Sequence, residues 1–118
     1  MKSYQEFSEI YVYRKFVDFR KKINGLVEIV EAEMNLKAIS DALFIFTNKG
    51  RDKLNILYWD RTGFVLWHKR LEEAKYVWPK KIEGEVIHLS TEELGLLLEG
   101  YDVWKMKPHE SLKYDFVC

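Results

Sequence analysis

The chain has one cysteine in 118 residues, Cys118 at the last position. No disulfide framework can form within it, and a lone thiol fits a reducing compartment. Prolines number two and glycines six, too few for a low-complexity or fibrous chain. No apolar run approaches the roughly 20 residues that span a bilayer. The opening stretch MKSYQEFSEIYVYRK lacks an apolar core and a small-residue cleavage site, so it does not read as a secretory signal. Net charge is missing as well, because 19 cationic side chains balance 19 anionic ones. That excludes a uniformly basic nucleic-acid binder; any such binding must come from an uneven layout of charge.

Catalytic patterns are also scarce. There is no G-x-S-x-G elbow, P-loop or dinucleotide fingerprint. His68, His88 and His109 have no metal spacing with one another or with Cys118. Asp18, Asp41, Asp52 and Asp60 are the acids a metal-dependent nuclease would draw on. Asp18, however, suits a helix cap, and Asp52 and Asp60 fall where turns favour aspartate. The residues name no catalytic group, no metal site and no cofactor.

What the chain does contain is apolar and aromatic surface, 47% and 15% of its residues, enough for one folded domain. The expectation is a soluble, intracellular single domain over residues 1–118, with a core over 9–102 and a tail over 103–118. Glu9–Phe16 (EIYVYRKF) reads as a strand. Asp18 is placed to cap a helix whose stripe is Phe19, Ile23, Leu26, Val27, Val30 and Met34, ending near Asn35. Gly25 within it suggests a close packing contact.

Ala42–Thr47 (ALFIFT) is a short apolar run suited to a buried strand. The NKGRD cluster is a turn, and Lys53–Trp59 is the next strand. The DRTG turn, with Gly63 able to take positive φ, leads to a return strand over Phe64–Leu71. Tyr76–Trp78 reads as a brief edge closed by Pro79. Val86–Leu89 adds a short strand. Ser90 with Glu93 matches a capping box, Leu94, Leu97 and Leu98 form a second stripe, and Gly100 suits the helix stop. Together these predict an α+β domain: an antiparallel meander of four or five strands with two main helices packed to one side.

Alternation along the return strand puts Phe64, Leu66, His68 and Arg70 on one face and Val65, Trp67, Lys69 and Leu71 on the other. Neither face is purely aromatic or purely basic. The rings of ILYWDRTGFVLWHKR therefore read first as core, and only second as a stacking platform.

Charge is laid out in blocks. Arg14–Lys22 has five cations against one acid, Thr47–Arg70 six against two, and Glu83–Asp102 six acids with no lysine or arginine. Solvated surface explains part of this. The functional alternatives are phosphate contact by the basic blocks and contact of the acidic helix with a basic partner. Arg20, Lys21 and Lys22 are expected in the first helical turn, where cations oppose the dipole and free N–H groups attract phosphate.

Longer patterns resemble one family. DFRKKINGL at 18–26 is similar to the D-x-R-K-x-x-x-G-L signature of Orf2-like accessory proteins, called TnpB, of insertion sequences of family 66; these are not the RNA-guided nuclease of that name. LFIFTNKGRDKLNILYWDRTGFVLWHKRLEEAKYVWP at 43–79 resembles the central block of that family. LSTEELGLLLEGYD at 89–102 and WKMKPH at 104–109 are similar to its later segments. Matching positions include Asp18, Arg20, Lys21, Gly25, Asp52, Trp59, Asp60, Gly63, Phe64, Lys69 and Arg70. The strand-to-helix segment YRKFV departs from the small-residue stretch usual there.

The resemblance implies a non-enzymatic bacterial cytoplasmic protein that assists DNA transposition, with no cofactor and no membrane. The implied partners are the transposase and the other accessory protein of the same element; the charge blocks add element-end DNA as a candidate. Combined with the charge blocks, it nominates Arg20, Lys21, Arg51, Lys53, Lys69 and Arg70 as DNA contacts and Glu92, Glu93, Glu99 and Trp104 as partner contacts. The alternative is a protein-interaction module that assembles the transposition complex without binding DNA.

Overall fold

In the computed structural model, residues 7–73, 75–79, 84, 86–99, 101, 103 and 104 are described. Gly100 and the tail that carries Pro108, His109 and Cys118 lie outside them. Five strands form one sheet: β1 (Glu9–Phe16), β2 (Ala42–Thr47), β3 (Lys53–Asp60), β4 (Gly63–Arg70) and β5 (Val86–Leu89), in the order β4-β3-β2-β1-β5. β2, β3 and β4 make the expected antiparallel meander, and β5 pairs antiparallel with β1. β1 and β2 pair parallel. Parallel neighbours need a long crossover, and the segment between them supplies it with helix α1 (Ile23–Glu28).

The two helices lie against opposite faces of the sheet, not one side as the sequence predicts. The reason lies in β2. Every residue of ALFIFT is buried, so both faces of the central strand demand cover. Leu43 and Ile45 face a cluster that includes Leu94 and Leu97 of helix α2 (Thr91–Leu98). Phe44 and Phe46 face the other cluster, with Leu26, Ile29 and Val30.

α1 also starts later than expected. Its N-cap is Lys22, so Arg20, Lys21 and Lys22 precede the first turn and no phosphate site at a helix N-terminus is built from them. Asp18 closes a local turn instead, accepting the Arg20 N–H at 2.9 Å. α1 then widens into a π-helical segment, Ile29–Glu33, in which the Met34 N–H reaches the Ile29 carbonyl at 3.0 Å. Asn35, at φ 55°, ends it in the left-handed conformation that helix stops favour. Tyr13 ties the segment to β1 by donating its hydroxyl to Glu33 Oε1 at 2.6 Å.

Two turns place an arginine in the left-handed region, one of them where Gly63 was expected. Gly63 is not in the left-handed region; Arg61, at φ 46°, takes that strain in the β3–β4 hairpin. Arg51, at φ 59°, does the same after Gly50. The opposite face is closed by loop residues. Tyr76–Trp78 forms no strand, yet Tyr76 and Trp78 are buried. Pairing is irregular between Val12 and Phe16 on β1, and Trp78 Nε1 donates to the Arg14 carbonyl there at 2.9 Å. α2 has the expected capping box: Ser90 Oγ accepts the Glu93 N–H, and Glu93 Oε1 accepts the Ser90 N–H.

Tyr76 is fully buried, and its hydroxyl has no hydrogen-bond partner among the described residues. Burial pushes its phenol up to about 12. An unpaired buried hydroxyl costs about 1–3 kcal/mol. Tyr76→Phe is therefore expected to raise stability by about 1 kcal/mol in urea denaturation. The sign of the pH effect follows from a folded pKa raised above the ordinary 10.0. The native protein loses stability as pH rises from about 10 to about 12, and the phenylalanine variant lacks this contribution. Equal or lower stability of Tyr76→Phe would mean that the hydroxyl is satisfied in solution.

Candidate functional site

The crossover loop and the β2–β3 turn meet at one end of the sheet, on the α1 face. They form two adjoining clefts of ≈ 680 and ≈ 480 Å³ that share Phe19 and Lys53. Arg20 and Lys49 line the larger, and Lys21, Lys22, Asn55 and His68 line the smaller. Alternation explains the placement. Leu57 belongs to the α1-side core, so Asn55 and Lys53 share its face. On β4, Phe64 and Leu66 pack there, which brings His68 and Arg70 to the same side. Lys53 and Arg70 are direct cross-strand partners.

The candidate cations are thus divided. Arg20, Lys21 and Lys53 come together at the clefts. Arg70 lies beside them on the same face and bonds Glu72 at 2.9 Å. Arg51 is in the adjoining turn, where its carbonyl accepts the Tyr76 N–H at 2.6 Å. Lys69 points to the opposite face, and its Nζ donates to the Leu98 carbonyl at the end of α2 at 3.0 Å. It serves the helix terminus, where cations are favoured.

Lys21, Lys22, Lys49, Arg51 and Lys53 make no side-chain ion pair among the described residues. Arg20 is paired with Asp18 at 2.7 Å, and Asp52 lies near Lys53 and Arg70. The Asn48 side-chain amide, donating at 2.8 Å, is the main cause holding the Asp52 carboxyl below its ordinary value. Asp18 lines the larger cleft and Asp52 lies outside both, near Lys53; each carboxylate is already engaged.

The Arg20 guanidinium, by hydrogen bonding, lowers the Asp18 carboxyl to about 2, with help from the Arg20 backbone N–H. The folded pKa lies below the ordinary 3.8. The stabilisation from this pair is complete above about pH 4 and is lost as pH falls toward 2. Arg20→Ala is expected to move the Asp18 midpoint most of the way back to its ordinary value, read from the carboxyl carbon shift by NMR. An unmoved midpoint would show that the pair does not form in solution.

The partner candidates also separate. Glu92 and Glu99 are exposed on α2. Glu93 is engaged in the capping box. Trp104 is not a surface contact. It is buried at 7% exposure, meets Trp78 edge to face at 6.0 Å, and donates Nε1–H to the Val77 carbonyl.

Sequence reasoning left Phe19, Lys22, Lys49, Asn55 and His68 off the candidate set. The signal for two of them was available: alternation puts His68 with Arg70, and Asn55 with Lys53. Among the described residues no three His, Cys, Asp or Glu side chains gather as a metal site, and no helix is long and apolar enough to cross a membrane.

Comparison with known proteins adds a family. A profile described as IS66 Orf2 like protein matches residues 8–108. An uncharacterized protein y4jC of Sinorhizobium fredii (strain NBRC 101917 / NGR234) is 37% identical over 91 residues, covering 77% of each chain. A second uncharacterized protein of that strain, y4hO, is 29% identical over 102 residues, covering 86% of each. No solved structure matches the chain significantly.

Proposed function

The chain belongs to the IS66 Orf2 like protein family, whose members are insertion-sequence-associated accessory proteins, and from that premise we propose that it assists transposition by holding element DNA, without doing strand chemistry itself. One observation carries this reading. Unpaired cations from the crossover and the β2–β3 turn gather at two clefts on one sheet face, while the acidic helix α2 packs against the other. Such a local gathering of cations lets a chain of zero net charge approach a phosphate backbone with that end of the sheet. Transposase contact falls to the acidic side, through Glu92 and Glu99.

The test is fluorescence anisotropy of a labelled element-end duplex across salt concentrations, with a scrambled duplex as control. Binding with a slope of log K against log salt near −0.9 per phosphate contact is expected. No binding at low salt, to the duplex or to its separated strands, would sink the DNA reading.

A second reading, a protein-interaction module that never touches DNA, is favoured by the exposure of Glu92 in the first turn of α2 and of Glu99 and Tyr101 beyond its end. Pull-down of the transposase from nuclease-treated extract separates the two readings. Retention supports direct protein contact, and loss points to bridging by DNA.

A further inference from the structure

The smaller cleft holds more than charge. Phe19 from the crossover and His68 from β4 meet edge to face, with ring centroids 5.9 Å apart and planes at 63°. Phe19 is half-buried and His68 exposed, so the pair offers ring surface to the solvent side of the cleft. His68 Nδ1 lies 2.7 Å from Oδ1 of the buried Asn55. With Nδ1–H donating to that oxygen, the imidazole is held in place and Nε2 is left as an acceptor. Lys21, Lys22 and Lys53 rim the same cleft.

A DNA duplex presents phosphates outward and keeps its bases stacked inside. Cations suffice for its phosphates, and its stacked bases offer no free π-face to rings beside them. An unpaired nucleotide offers both a phosphate and a free π-face, and it is recognised by aromatic rings set among cations. The cleft, at ≈ 480 Å³, lies within the roughly 300–1,000 Å³ typical of small-molecule sites. We propose that it holds one unpaired nucleotide of single-stranded DNA, with the base against the Phe19–His68 pair and the phosphate on Lys21, Lys22 and Lys53. The inference rests on the reading that this face meets DNA, and it names the form of DNA that the smaller cleft selects.

The test uses the full chain, a labelled mixed-sequence strand carrying 2-aminopurine, and the same strand annealed to its complement. His68→Ala removes an exposed ring. Phe19→Leu removes a ring but keeps the apolar bulk that packs near α1, so one variant serves if the other does not fold. Each is expected to weaken single-strand binding by roughly five- to 150-fold, the range for one lost base stack, and to leave duplex binding unchanged. The 2-aminopurine signal should be quenched on binding to the native protein and recover in the variants. If the native protein binds DNA but the variants lose nothing, or lose equally on both forms, the nucleotide site is overturned while DNA contact stands. If the native protein binds neither form, the underlying DNA reading falls, and this inference with it.

Discussion

Truncating Trp104 to alanine is expected to lower stability by about 3–5 kcal/mol, the usual cost of removing a large buried aromatic. The indole loses its edge-to-face contact with Trp78 and its hydrogen bond to the Val77 carbonyl. It also leaves a cavity next to Trp78 in the core cluster that α2 covers. Domains of this kind have total stabilities of about 5–15 kcal/mol, so the variant sits near the edge of folding. Trp104→Phe keeps a ring in place and loses the N–H, leaving the Val77 carbonyl short of a donor; about 1–3 kcal/mol is expected. Urea denaturation measures both. A Trp104→Ala protein as stable as the native one would return Trp104 to the surface and to the set of partner contacts. If the loss is found, any failure of that variant to capture a transposase reports unfolding, not a lost interface.

Replacing Lys21, Lys22 and Lys53 together by alanine is expected to reduce the salt slope of duplex binding by about 2.7, at roughly 0.9 per phosphate contact. At 0.1 M salt, relative to 1 M, that corresponds to a loss of affinity of about 500-fold. Stability should barely move, within about 0.5 kcal/mol for each change, because none of the three makes an ion pair among the described residues. Lys69→Ala is the matched control. Its ammonium is spent on the Leu98 carbonyl on the opposite face, so the expected result is a stability loss of about 0.5–1 kcal/mol with an unchanged slope. Anisotropy titrations at several salt concentrations give the slopes. An unchanged slope in the triple variant would remove the clefts as a phosphate surface. A slope lowered by Lys69→Ala would show that the acidic-helix side also meets DNA.

Strand boundaries were legible because they depend on residues close in the chain. The bounds of Glu9–Phe16, Ala42–Thr47 and Val86–Leu89 follow from apolar runs closed by turn chemistry. The Ser90–Glu93 box was legible for the same reason, since both partners lie within one helical turn. The start of α1 was misplaced because Asp18 can serve either a helix cap or a local turn. Arg20, forking onto its carboxylate, favours the turn.

By itself, then, the sequence determined an α+β chain, its elements, its meander and the family it resembles. It also determined that Lys69 and Arg70 point to opposite faces, because neighbours on a strand must alternate. Only the tertiary structure decided which face each helix covers, that β1 and β2 run parallel, that Trp104 is core, and that Phe19 and Lys53 meet His68 at one cleft. Local preferences act between neighbours along the chain, over a turn of helix or a pair of strand residues. Which faces meet is decided by burial summed over the whole sheet, and the two buried faces of ALFIFT satisfy that sum only when a helix lies on each side.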